Sequence, residues 1–124
     1  MAGGTARGQR RWLGALRDPV IGRALSLLQA EPGRPWPVED IARQVGVSRS
    51  GFAQRFLELT GDTSGRYVSR LRADRAAQLL RDTDDPILNI ALEVGYASEQ
   101  ALSKAFARQY GTAPGRYRRQ HSDT

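Results

Sequence analysis

The chain has 124 residues, with 40% hydrophobic and 26% charged side chains, which suits one soluble domain with a modest core. With no cysteine and a single histidine, His121, it cannot form disulfides or thiolate nucleophiles, and it has little with which to ligate zinc or build a Ser-His site. Its 19 Lys+Arg against 13 Asp+Glu leave a net charge of +6, which favours a polyanionic partner, either nucleic acid or an anionic membrane.

Residues 1–17 are rich in Gly and Arg and read as an N-terminal arm or linker, with a point of order near Trp12 and Leu16. Arg17, Asp18 and Arg23 interrupt the apolar stretch behind this basic start, so it does not read as a signal peptide. No apolar run approaches the roughly 18 residues of a membrane span, and the expected location is the cytoplasm, with no membrane partner.

The domain proper is expected over 18–124. Asp18-Pro19 opens a helix, with an N-cap side chain followed by Pro at the first helical position. Val20, Ile21, Ala24, Leu25, Leu27 and Leu28 carry it to about Ala30, where Pro32, Pro35 and Pro37 stop it. From there the pattern predicts short helices punctuated by glycine and no strands. A longer helix is expected over about 64–81, with Tyr67, Val68, Leu71, Ala76, Leu79 and Leu80 inward and Arg66, Arg70, Arg72, Arg75 and Arg81 wet. Asp85-Pro86 then opens a further helix, with Pro86 as an early helical residue. His121, in the polar tail, reads as part of a frayed end.

The chain repeats itself at a period near 50 residues. Ile41-Ala42, Gly46, Ser48, Phe52, Phe56, Gly61 and Tyr67 match Ile90-Ala91, Gly95, Ser98, Leu102, Phe106, Gly111 and Tyr117. The offset is 49 up to the first glycine and 50 from the serine onward, so the second copy has one extra residue in its turn. Each copy has a helix with a small residue where a second helix must cross, then a glycine suited to a tight turn. A serine next caps a second helix, and a glycine ends it. Phe52, Phe56 and Leu59 form the apolar stripe of the first such helix; Leu102, Ala105 and Phe106 form that of the second. This is helix-turn-helix grammar at about 38–61 and again at about 86–111. The fold class is all-α, with two helix-turn-helix subdomains joined by a long connecting helix.

The stretches IARQVGVSRSGFAQRF (41–56) and DPILNIALEVGYASEQALSKAFARQYGTAPGRYRR (85–119) resemble the C-terminal DNA-binding domain of AraC/XylS-type transcription regulators, and the match covers about 18–119. The resemblance implies sequence-specific binding of double-stranded DNA in control of transcription initiation, with two recognition helices in adjacent major grooves. It implies no catalysis and no cofactor or metal, and RNA polymerase is a candidate second partner. The connecting helix, spanning about 27 Å at 1.5 Å per residue, would set two recognition blocks about 10 base pairs apart. Ser64 departs from the family, which often has Pro there, as this chain has at Pro114. The effector or dimerisation domain of such regulators is absent from this chain, which reads as a single-domain member or as part of a longer regulator.

Helix geometry selects the outward residues. With Phe52 and Phe56 inward at 100° per residue, Ser50, Gln54 and Leu57 face away. With Leu102 and Phe106 inward, Glu99, Gln100, Ser103, Lys104 and Arg108 face outward or flank. The resemblance points to the same places, so the candidate base contacts are Ser50, Gln54, Glu99, Gln100, Ser103 and Lys104. Gln pairs with adenine, Lys with guanine, and Glu accepts from cytosine N4. Glu99 has an equal reading as a first-turn residue favoured by the helix dipole. Ser48, Arg49, Ser98 and Arg108 are the candidate phosphate contacts. Trp12, Trp36, Tyr67 and Tyr117 read as packing. An adaptor that binds protein through these helices would instead present apolar faces, and an alkyl-transfer repair domain would need a cysteine acceptor.

Overall fold

The computed structural model describes residues 12–121, and these fold as helices α1 to α8 without strands. Residues 12–17 are helical (α1), followed by α2 Pro19–Ala30, α3 Val38–Val45, α4 Arg49–Thr60, α5 Ser64–Asp82, α6 Ile87–Glu93, α7 Glu99–Tyr110 and α8 Pro114–Gln120. They form two compact units. The first runs to Glu31 and resumes over Trp36–Tyr67; the second holds Pro32–Pro35 and everything from Val68 onward. The unit boundary therefore falls inside α5, between Tyr67 and Val68.

In the first unit, Asp18 starts α2 as expected. One carboxylate oxygen accepts from the amides of Val20 and Ile21, both at 3.0 Å, and the other accepts from Arg55 of α4 at 2.6 Å. Burial opposes ionisation of this carboxyl, but the two amides and the guanidinium outweigh it and hold its pKa below the ordinary carboxylate value. Ile21, Ala24, Leu25 and Leu28 of α2 pack with Ile41 and Ala42 of α3 and Phe52 and Phe56 of α4, all buried. Tyr67 closes the unit. Its ring lies 5.7 Å from Trp12 and 5.9 Å from Phe56, and its hydroxyl accepts from Gln29 at 2.7 Å. Trp12 is thus a packing residue, while half-buried Trp36 donates its indole N–H to the Glu31 carbonyl at 2.8 Å. Of the stretch expected as an arm over 1–17, residues 12–17 are helical and Ala15 is fully buried. The remainder, 1–11, lies outside the described residues.

In the second unit, Ala73, Ala76, Ala77 and Leu80 of α5 pack with Ile90, Ala91 and Val94 of α6 and with Leu102, Phe106 and Tyr117. Leu71, Leu59 and Ala105, expected in core stripes, are only half-buried. Three arginines, among them Arg72 and Arg81 that were expected to stay wet, make structural bonds. Arg118 donates to the carbonyls of Leu80, Thr83 and Asp85 at 3.2, 3.1 and 2.7 Å, satisfying acceptors at and beyond the end of α5. Arg72 donates to the carbonyls of Pro32 and Arg34 at 2.7 and 3.1 Å. Arg81 reaches the Tyr117 hydroxyl at 2.6 Å.

Helix α8 extends the fold beyond the expected second motif. His121 at its end is packed, not frayed: Nδ1 lies 2.8 Å from the Tyr117 carbonyl oxygen and the two rings stack at 4.1 Å.

Candidate nucleic-acid interface

The two repeats build the same local device from equivalent residues. Pro37 and Pro86, at the offset of 49 residues, are the N-caps of α3 and α6. A proline suits that place because its carbonyl begins the helical hydrogen bonding while its missing N–H is not needed. Pro86 thus stands one position before the helix, where the sequence places it within the first turn. Four residues after the small residue, the chain reverses. In the first unit Val47 N donates to Ala42 O at 3.0 Å around Gly46, whose φ is +78°. In the second, Tyr96 N donates to Ala91 O at 2.8 Å around Gly95, at φ +107°. Each bond spans five residues, the closure that a left-handed glycine permits. Gly95 has a further reason to be glycine. A Cβ there would lie 2.7 Å from the Gly33 carbonyl oxygen and 2.9 Å from the Arg72 guanidinium carbon.

After the turn, Ser48 and Ser98 cap the second helix of each motif. Their hydroxyls accept from Gly51 N and Ala101 N, both at 3.1 Å. The serines proposed as phosphate contacts therefore spend one lone pair on capping, and what they bring to any anion is a helix N-terminus held in shape. Gly61 and Gly111, with φ of +80° and +72°, end the two helices. Helices α4 and α7 are each 12 residues long and are pinned at both ends.

On α4, Ser50 and Gln54 are exposed on one stripe with Leu57, which is 51% exposed. On α7, Glu99, Gln100, Lys104 and Arg108 are exposed, while Ser98 and Ser103 are half-buried. Leu88 of α6, Ala97, Ser98, Glu99, Gln100 and Ser103 line one shallow cleft. The extra residue of the second copy, Ala97, is in its wall. The expected base contacts of each unit thus gather on one solvent-facing side of its second helix. Glu99 occupies the first turn of α7, where the helix dipole favours a carboxylate.

Arg55, Arg72, Arg81 and Arg118 make the structural bonds described above. Arg49, at the first position of α4, donates Nε to Glu39 of α3 at 2.7 Å. The sequence pattern gave no sign of that pair, because the residues are ten apart and on different helices. Among the described residues no helix is long and apolar enough to cross a membrane, and no group of three or more His, Asp or Glu side chains is placed to hold a metal ion.

Residues 41–120 match a family model described as a helix-turn-helix domain. The chain is 44% identical over 108 residues to a Streptomyces lividans protein named as an AraC-like transcription regulator, covering 87% of this chain and 36% of that one. The chain therefore spans about a third of that curated relative. Among solved structures, an AraC-type transcriptional regulator from Chromobacterium violaceum is similar at a TM-score of 0.78 and 32% identity, over 85% of this chain and 94% of that one. The DNA-binding domain of the global transcriptional factor AdpA, solved in complex with a target DNA, is similar at a TM-score of 0.78 and 29% identity, over 83% and 92% of the two chains.

Proposed function

The chain belongs to the AraC-type helix-turn-helix family, and from that premise we infer that it binds double-stranded DNA sequence-specifically to regulate transcription initiation, each unit placing its second helix in a major groove. The observation that carries this reading is the pairing of solvent-facing polar stripes, Ser50/Gln54 on α4 and Gln100/Lys104 on α7, on helices capped alike in both units. In this reading Gln54 and Gln100 pair with adenine edges and Lys104 with guanine O6/N7, while Ser50 and Ser103 accept or donate. Glu99 takes either of its two roles, cytosine reader or dipole partner. Arg49, Arg108 and the helix N-termini at Ser48 and Ser98 hold phosphates and set register.

Because the two stripes carry different residues at equivalent places, the site has two dissimilar blocks and need not be palindromic. A regulator of initiation acts through RNA polymerase. Exposed Leu57 beside Gln54 is a candidate contact for either a polymerase subunit or a thymine methyl group. The reading requires no catalytic group and no cofactor, and it places the protein with DNA in the cytoplasm.

Selection of bound duplexes from a random pool, followed by anisotropy titration between about 50 and 200 mM salt, tests it. The expected result is a discrete enriched motif and log affinity falling with log salt at a slope of several units if about five or more phosphates are engaged. No enrichment together with a flat salt response would refute it.

A further inference from the structure

The two units differ in charge at the start of the second helix. In the first, Arg49 opens α4 and is tied to Glu39 of α3 at 2.7 Å, with both side chains more than half exposed, at 69% and 55%. By the repeat's own offsets, the equivalents in the second unit are Glu99 and Leu88. There a carboxylate stands where the guanidinium was, and an exposed leucine where its partner was. The device at the first unit is thus absent from the second.

We propose that Glu39 is an intramolecular counter-ion for Arg49, one that weakens the chain's hold on the phosphodiester backbone and flattens its salt dependence. The inference rests on the DNA-binding reading above. Arginines raise affinity for DNA chiefly by displacing condensed cations from phosphates. An arginine already neutralised by a carboxylate must exchange one anion for another, so it gains less from each phosphate it meets. The pair is exposed, and exposed ion pairs hold only weakly in water. Arg49 is therefore restrained without being locked. Glu39 itself is favourably placed in the first turn of α3, so its carboxylate has reason to be there apart from the pair. Asp40 in the same turn is engaged with Arg43 at 3.2 Å, which leaves Glu39 as the carboxylate that faces α4.

The test measures binding of the intact chain and its variants to a random-sequence duplex and to the duplex that the wild type selects. Glu39→Gln should bind both more tightly, and its log-log salt slope should steepen by about one. Between about 50 and 200 mM salt, that difference in slope corresponds to a three- to fourfold change in relative affinity. In an Arg49→Ala background, the same substitution should change neither slope nor affinity. A thermal melt confirms that each variant is folded, which both exposed positions permit. A gain that persists without Arg49 would overturn the proposal, because Glu39 would then act on the DNA through its charge alone. Weaker binding by Glu39→Gln would also overturn it, by making Glu39 a buttress that aims Arg49 at phosphate. If the wild type itself shows no salt-dependent binding to either duplex, the DNA-binding reading fails first; if it binds and the variants match it, only the counter-ion proposal falls.

Discussion

Gly46 and Gly95 occupy the same place in the repeat, and the stability lost on substitution by alanine should differ severalfold between them. Both have a left-handed φ, which costs a non-glycine residue about 1–3 kcal/mol. Alanine recovers roughly 0.4–1 kcal/mol by restricting the unfolded chain. At Gly46 nothing lies within 4 Å of the added methyl, so Gly46→Ala should lose about 1 kcal/mol. At Gly95 the methyl would meet Gly33 O at 2.7 Å, Gly33 Cα at 2.9 Å and Arg72 Cζ at 2.9 Å. Two of those atoms are backbone, and the third belongs to a guanidinium held by the carbonyls of Pro32 and Arg34. Relief requires the 32–35 segment to move and Arg72 to give up at least one charged hydrogen bond, worth about 1.5–3 kcal/mol. Gly95→Ala should therefore lose about 3–5 kcal/mol. In thermal melts this separates as a fall of roughly 10–20 °C against about 5 °C or less. Because the methyl and the guanidinium compete for one space, Gly95→Ala should cost less in an Arg72→Ala background. Equal losses for the two glycine variants would refute the close approach of 33 to 95.

On DNA, Gln54→Ala and Lys104→Ala should each lose about 1–3 kcal/mol on the selected duplex and relax preference at one base pair, read by anisotropy against single-mismatch duplexes. A uniform loss for Lys104→Ala on all duplexes would make it a phosphate contact. Arg118→Met should destabilise the chain by about 2–4 kcal/mol, since three carbonyls lose a charged donor. Exposed Arg119→Met, as the neighbouring control, should change urea stability by less than about 0.5 kcal/mol. Asp18→Ala should lose about 1–2 kcal/mol through the α2 cap and the Arg55 pair. The folded-state pKa of Asp18 is depressed, so its stabilisation is full above the unfolded carboxylate value and disappears as pH falls through the folded one. Asp18→Asn should consequently show its largest deficit near neutral pH and converge with the wild type in acid; a constant gap would contradict the ionic role of Asp18.

The helices, caps and turns were legible because each is written in a few adjacent residues. Asp18-Pro19, the Gly46-to-Ser48 turn and its counterpart all rest on local backbone chemistry, and the repeat let each copy check the other. The outward stripes followed from helical period alone. What escaped depends on residues far apart in sequence. Arg72 and Arg118 look like surface charges until the carbonyls they hold, nearly 40 positions away, are in place. The same applies to Glu39 and Arg49. Residues 12–17 read as an arm because Gly14 and Arg17 dilute the apolar signal, and only the fold shows Ala15 to be buried. Helix α8 was too short, and too rich in arginine, for periodicity to mark it.

The membership of Pro32–Pro35 in the second unit bears on how such a protein could be dissected or recombined. The chain visits that unit for four residues, returns to the first, and comes back at Val68. A fragment beginning at Val68 would carry the whole of the second motif yet lack the peptide that Arg72 grips and that Gly95 lies against. Adding helix α2 alone would not restore it. The second motif is therefore not a cassette that one cut releases. Swapping it for that of a relative would require exchanging the loop after α2 as well, so that loop and motif are expected to travel together when the units are shuffled.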